Sequence, residues 1–205
     1  MTSRLPSKLI FLPGVSGNPA FWKPAAQRLV CPAQQVFFGW PGFGPTPSDP
    51  AINGIDDLVA MTVTEIDQPT ALIAQSMGGV IAIRAALEKP ELVTHLILSA
   101  TSGGIDIASF GGEDWRPEFE RENPALPPWF SSYREDLSGR LAGIKIPALL
   151  LWGDADPISP VAVGEALAAL LPRASLHIVR GGKHDLAAVH AAKVAPLIDR
   201  ALGVL

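Results

Sequence analysis

Ser76 stands in the stretch Ala74-Gln75-Ser76-Met77-Gly78-Gly79. A serine hydroxyl becomes a useful nucleophile when an imidazole takes its proton and a carboxylate holds that imidazole in place. The chain carries candidates for both partners. Asp154 and Asp156 follow the apolar run Leu149–Leu151, and the histidines are His95, His177, His184 and His190. The chemistry open to such a set is nucleophilic attack on an acyl carbonyl, through a covalent intermediate. The stretch before Ser76, Thr70–Ala74, reads as a strand, and Met77–Glu88 reads as a helix. A serine on so tight a strand-to-helix turn is thrown clear of the sheet, and its flanking residues must be small. Ala74 and Gly78, at −2 and +2, meet that need. Serine is also a favoured helix N-cap, which gives the turn a competing reading. In either case the Met77 N–H has no intrahelical partner and lies where the helix dipole favours negative charge. It is a candidate oxyanion donor.

The elements that must position these groups alternate along the chain. Strands are expected over 8–12, 35–38, 70–74, 94–99, 148–151 and 175–179. Several are near-continuous apolar runs, as strands covered on both faces should be. Helices are expected over 19–29, 55–66, 77–88, 160–171 and 185–201, with Pro196 kinking or restarting the last. Repeated strand-then-helix units predict an α/β fold with a parallel sheet and helices on both faces. Right-handed crossovers put the strands' C-terminal ends on one edge, where ligands bind in open sheets.

One stretch, 101–140, breaks the alternation. It is rich in Pro, Gly and charge, yet it holds Phe110, Trp115, Phe119, Trp129, Phe130 and Tyr133, six of the chain's 14 aromatics. A plain linker has no use for them. We read it as a small cap over the active-site edge, with Trp115, Trp129 and Phe130 as candidate pocket walls.

The 205 residues suit a single domain, and 48% apolar with 18% charged residues is a globular composition. A net charge of −4 gives no electrostatic reason to expect nucleic acid or an anionic membrane as partner. The apolar stretch Leu9–Leu12 is stopped by Pro13-Gly14, too short for a signal peptide, and no run of about 18 apolar residues spans a bilayer. Cys31 is the only cysteine, which excludes an intrachain disulfide and makes a cysteine-based zinc site unexpected. The expectation is a cytoplasmic protein.

The turn Ala74-Gln75-Ser76-Met77-Gly78 resembles the G-x-S-x-G nucleophile elbow of the α/β-hydrolases, with alanine in the first glycine position. The likeness runs from about Lys8 to Ala201. It implies a six-stranded, mostly parallel sheet in the order 2-1-3-4-5-6. The family carries its acid three residues after a strand-ending glycine. Gly153-Asp154-Ala155-Asp156 therefore selects Asp156, leaving Asp154 to tie down the turn through its own backbone amides. The family's base lies in the loop after the last strand, which selects His184 in Gly181-Gly182-Lys183-His184. The chain order Ser76, Asp156, His184 is the family's order. In the family a His-Gly pair ends the first strand and the next N–H completes the oxyanion hole. Pro13-Gly14 stands there here, so Val15 N–H joins Met77 N–H as a donor. The loop Phe38-Gly39-Trp40-Pro41-Gly42-Phe43-Gly44-Pro45-Thr46 resembles the family's D-x-P-G-x-G-x-S segment, with Trp40 and Phe43 as candidate pocket walls.

The resemblance implies a serine hydrolase that needs neither metal nor organic cofactor. Its substrate would be a small molecule with a small to medium acyl group, as a carboxylic ester or thioester. The family also includes C–C bond hydrolases, acyltransferases, cofactor-free haloperoxidases and non-catalytic small-molecule receptors.

Overall fold

A computed structural model describes residues 5–124, 126, 127 and 129–205. Six strands form one sheet: β1 (Lys8–Leu12), β2 (Gln34–Phe37), β3 (Thr70–Gln75), β4 (Val93–Ser99), β5 (Ala148–Gly153) and β6 (Ala174–Val179). Their order is β2-β1-β3-β4-β5-β6, and every pair is parallel.

The four central strands are buried along their whole length, which is why they read as continuous apolar runs. Side chains still alternate between the two faces. Ile10, Leu12, Leu72, Leu96, Leu98 and Leu150 pack with α2 (Ile55–Glu65), α3 (Met77–Glu88) and α7 (Val161–Leu170) through Leu58, Ile81 and Leu167. Leu9, Phe11, Ala71, Ile73, Ile97, Leu149 and Leu151 pack on the other face. Their partners there lie in α1 (Lys23–Ala26), α8 (Leu186–Val189) and α9 (Ala191–Ala201) and include Leu186, Val194 and Ile198. At about 25 cal/mol per Å² of apolar surface removed from water, these two layers are the main source of stability.

Two helices differ from the sequence expectation. The segment 19–29 makes only one short helix, α1. Pro19 and Pro24 offer no N–H, and the residues around α1 close with tighter i→i−3 bonds such as Phe21 N–H to Asn18 O and Leu29 N–H to Ala26 O. The stretch 185–201 is broken at His190, with φ −101° and ψ 31°, whereas Pro196 lies inside α9. A proline inside a helix forfeits one backbone bond but need not end it when the helix face is packed; Val194, Ala195 and Ile198 around it are buried.

Between β4 and β5 the chain forms a 3₁₀ turn at Ala108–Phe110, then α4 (Arg116–Glu122), α5 (Trp129–Ser132) and α6 (Ser138–Leu141). The body anchors this segment at two places, and one bond closes the segment on itself. Glu113 N–H donates to Pro157 O at 2.8 Å, while Leu137 N–H donates to Gly104 O, within the segment, at 2.7 Å. Arg84 on α3 bonds Asp56 at 2.6 Å and lies 3.8 Å from Glu135, which also accepts the Tyr133 hydroxyl.

Candidate active site

The turn from β3 into α3 holds Ser76 at φ 52° and ψ −121°. A positive φ is costly for a residue with a Cβ, by about 1–3 kcal/mol, and persists only where the surroundings over-determine it. Here they do. Ser76 N–H donates to Ser99 O at 3.0 Å, and Ser76 O accepts Gly79 N–H at 2.9 Å and the Thr101 hydroxyl at 2.6 Å. Glycines let the elements close in. A Cβ on Gly78 would lie 2.4 Å from Pro13 O, and one on Gly79 would lie 2.4 Å from Thr101 Oγ1. The Ser76 side chain makes no capping bond to α3, so capping does not explain why serine stands there.

Thr101 was not legible as a site residue. Its hydroxyl donates to the strained Ser76 carbonyl and accepts Gly103 N–H at 3.1 Å, from a position only 1% exposed. Thr101→Val keeps the shape and strands both partners. The expected cost is about 1–3 kcal/mol, read as a lower urea midpoint at unchanged slope. A midpoint equal to wild type would show that the hydroxyl does not support the turn.

Asp156 follows β5. Its carboxylate is buried, and Oδ1 accepts Ile158 N–H at 2.9 Å and Ser159 N–H at 3.1 Å. These two amides orient Oδ2, which accepts His184 Nδ1–H at 2.8 Å. The Nδ1 bond leaves His184 Nε2 as the nitrogen available for proton transfer. Asp154 does a different job from the one expected of it. Instead of bonding amides of its own turn, Oδ1 accepts Gly181 N–H at 2.6 Å, across to the loop that carries His184. Ala155 N–H donates to Gly182 O at 3.0 Å, and a Cβ on Gly153 would lie 2.0 Å from that same oxygen. The two loops are therefore docked backbone to backbone.

Ser76 and His184 line one cavity of about 760 Å³. Met77, Val80, Ile105, Ile107, Trp115, Phe130 and Ile158 supply apolar wall, while Glu113, Arg116 and Asp136 supply charge. Trp129 is not among the lining residues; its ring packs edge-on against Phe43 at 5.6 Å. Trp40 and Phe43 are corrected outright. Both are fully buried, and neither lines this cavity. Their rings turn into the core, because the loop after β2 is long enough to fold them under the first-strand loop. Trp40 Nε1–H donates to Pro13 O at 3.0 Å and to Gly14 O at 3.1 Å, bracing the backbone that leads to Val15. Gly14 abuts the serine, for a Cβ on it would lie 3.0 Å from Ser76 Cβ. Val15 thus follows directly on the residue against Ser76, and Met77 follows Ser76 as the first residue of α3.

His95 lies near the start of β4, at the opposite edge from Ser76. Burial pushes its imidazole down to about 4. It is neutral in the folded chain, while the unfolded chain takes up a proton near its ordinary value of about 6.5. Its contribution is therefore complete above about pH 6.5 and is lost as pH falls toward 4. About 1–2 kcal/mol of stability should disappear between pH 7 and 5, and His95→Gln should lose less over that interval. Urea titrations at the two pH values check this; equal losses would contradict it.

A family model described as the alpha/beta hydrolase family matches residues 9–143. The chain belongs to that family. Among curated relatives, it is 29% identical over 96 residues to a pimeloyl-[acyl-carrier protein] methyl ester esterase of Aliivibrio salmonicida, covering 47% of this chain and 36% of that one. The matched stretches span less than half the length of the curated relatives. Among solved structures, a bromoperoxidase from Bacillus anthracis superposes with a TM-score of 0.78 at 16% identity, covering 97% of this chain and 92% of that chain. A thermophilic esterase from Thermogutta terrifontis gives 0.74 at 18% identity, covering 94% and 88%. At these identities the structures establish the alpha/beta hydrolase fold alone. No helix among the described residues of this alpha/beta hydrolase is long and apolar enough to cross a membrane.

Proposed function

We propose that this alpha/beta hydrolase is a serine esterase or thioesterase acting on small to medium acyl groups. One observation carries the reading: a strained Ser76 without a capping bond shares a cavity with a histidine held by a buried carboxylate. Backbone strain of this kind clusters at active sites and persists only where the surroundings over-determine it.

In the proposed reaction, His184 Nε2 takes the Ser76 proton as Oγ attacks the acyl carbonyl carbon. Asp156 fixes the tautomer and stabilises the imidazolium. The oxyanion is received by the N–H groups of Met77 and Val15. Each such donor contributes on the order of 3 kcal/mol, because it is already in place when charge develops. The imidazolium then protonates the leaving alcohol or thiol. Water repeats the sequence on the acyl-enzyme, releasing the acid and restoring Ser76.

The segment 101–140 acts as a cap in this reading, and its Trp115 and Phe130 receive the acyl chain. A cavity of about 760 Å³ has room for such a chain and for its leaving group. The test is a series of p-nitrophenyl esters from acetate to laurate. Turnover is expected to be highest for short or medium chains and to fall for long ones. Silence across the whole series, from a folded protein, would overturn the esterase reading.

A further inference from the structure

We infer that Gln75 is a positioning residue that sets the register between the loop carrying His184 and the two loops facing it. The inference rests on the assignment of Ser76 and His184 above.

Gln75 is the last residue of β3 and immediately precedes Ser76. Strand alternation puts it on the same face as Ala71 and Ile73, the face covered by α8 and α9. His184 lies just before α8. Gln75 is 5% exposed, deep for a side chain with two hydrogen-bonding ends. Nε2 donates to the backbone carbonyl of His184 at 3.2 Å. Oε1 occupies the space over Gly14, where an added Cβ would come within 2.2 Å of it.

One side chain therefore touches the loop of the proposed base and the loop of the proposed donor Val15. Through the backbone it is also fixed to the proposed nucleophile. The His184 loop is held from two directions. Asp154 and Ala155 hold it at Gly181 and Gly182, and Gln75 holds the carbonyl of His184 itself. The Asp156 bond orients the imidazole ring, but only the backbone bonds fix where the ring starts from. Losing the Gln75 bond frees the end of the loop that matters for the Ser76–His184 distance. A misplacement of about 1 Å in such a site costs on the order of 100-fold in rate.

The shape of the effect separates positioning from mere packing. Gln75→Leu keeps most of the volume and removes the donor, and Gln75→Met, unbranched and of similar length, is the second variant should the first not fold. Each is expected to lower kcat on a p-nitrophenyl ester about 10- to 100-fold, with KM within about threefold and a thermal midpoint lowered by about 2–10 °C as the His184 carbonyl loses its donor. In a His184→Ala background, where the base is gone, the same substitution is expected to change the residual rate less than about twofold. A wild-type kcat in the folded Gln75 variants would overturn the inference. So would an equal fold-loss with and without His184, which would mean that Gln75 acts by another route. Ser76→Ala, run alongside, tells the two failures apart. If it retains turnover, the site assignment fails. If it is inactive while the Gln75 variants are unaffected, only the role of Gln75 fails.

Discussion

Ser76→Ala is expected to reduce ester turnover by about 10⁴-fold or more while the thermal midpoint stays close to wild type. Both halves follow from the geometry. The hydroxyl is the atom that bonds to the acyl carbon, so no neighbouring group can replace it. Its removal costs the fold little, because Ser76 makes no side-chain bond to α3 and its backbone bonds to Ser99, Gly79 and Thr101 survive the change. Alanine also tolerates φ 52° no worse than serine does, since both carry one Cβ. A variant that lost activity by unfolding would be inconsistent with this account. So would a folded variant with an undiminished rate.

The second large effect separates two carboxylates that lie two residues apart. Asp156→Asn is expected to lower kcat about 10³- to 10⁴-fold. The amide can still meet the imidazole, but it carries no charge to stabilise the imidazolium and can donate to Nδ1, favouring the wrong tautomer. Asp154→Asn is expected to cost about tenfold or less. Its partner is the Gly181 N–H, and an asparagine carbonyl still accepts that bond, only more weakly. Steady-state rates of both variants on one ester decide the matter. A larger loss at Asp154 than at Asp156 would reverse their roles.

The sheet was legible because burial leaves a simple mark. β1, β3, β4 and β5 are covered on both faces, so each reads as an apolar run, and the strand order was implied by the resemblance to the α/β-hydrolases. The candidate site was legible where it lies at strand ends. Ser76 announces itself by small neighbours, and Asp156 and His184 by their likeness to the positions where the α/β-hydrolases carry acid and base. What escaped depends on which way a side chain turns inside an irregular loop. Nothing in the spacing of Trp40 and Phe43 distinguishes a pocket wall from a core ring, and the structure buries both. Burial there has a use, because Trp40 braces the two carbonyls at the Pro13-Gly14 turn, where family members carry histidine. Asp154 escaped for a related reason. Its partner, Gly181, is 27 residues away, so a local reading sees only its own turn. Gln75 fills a variable position of the elbow motif, and only the fold shows that this position faces two other loops.

The central claim is that Ser76 is activated by His184. The most direct measurement is labelling with a fluorophosphonate probe, followed by peptide mass spectrometry. A single modified residue, Ser76, is expected, with that labelling lost in folded His184→Ala. Folded wild-type protein that stays unlabelled, or labelling that persists unchanged without His184, would contradict it.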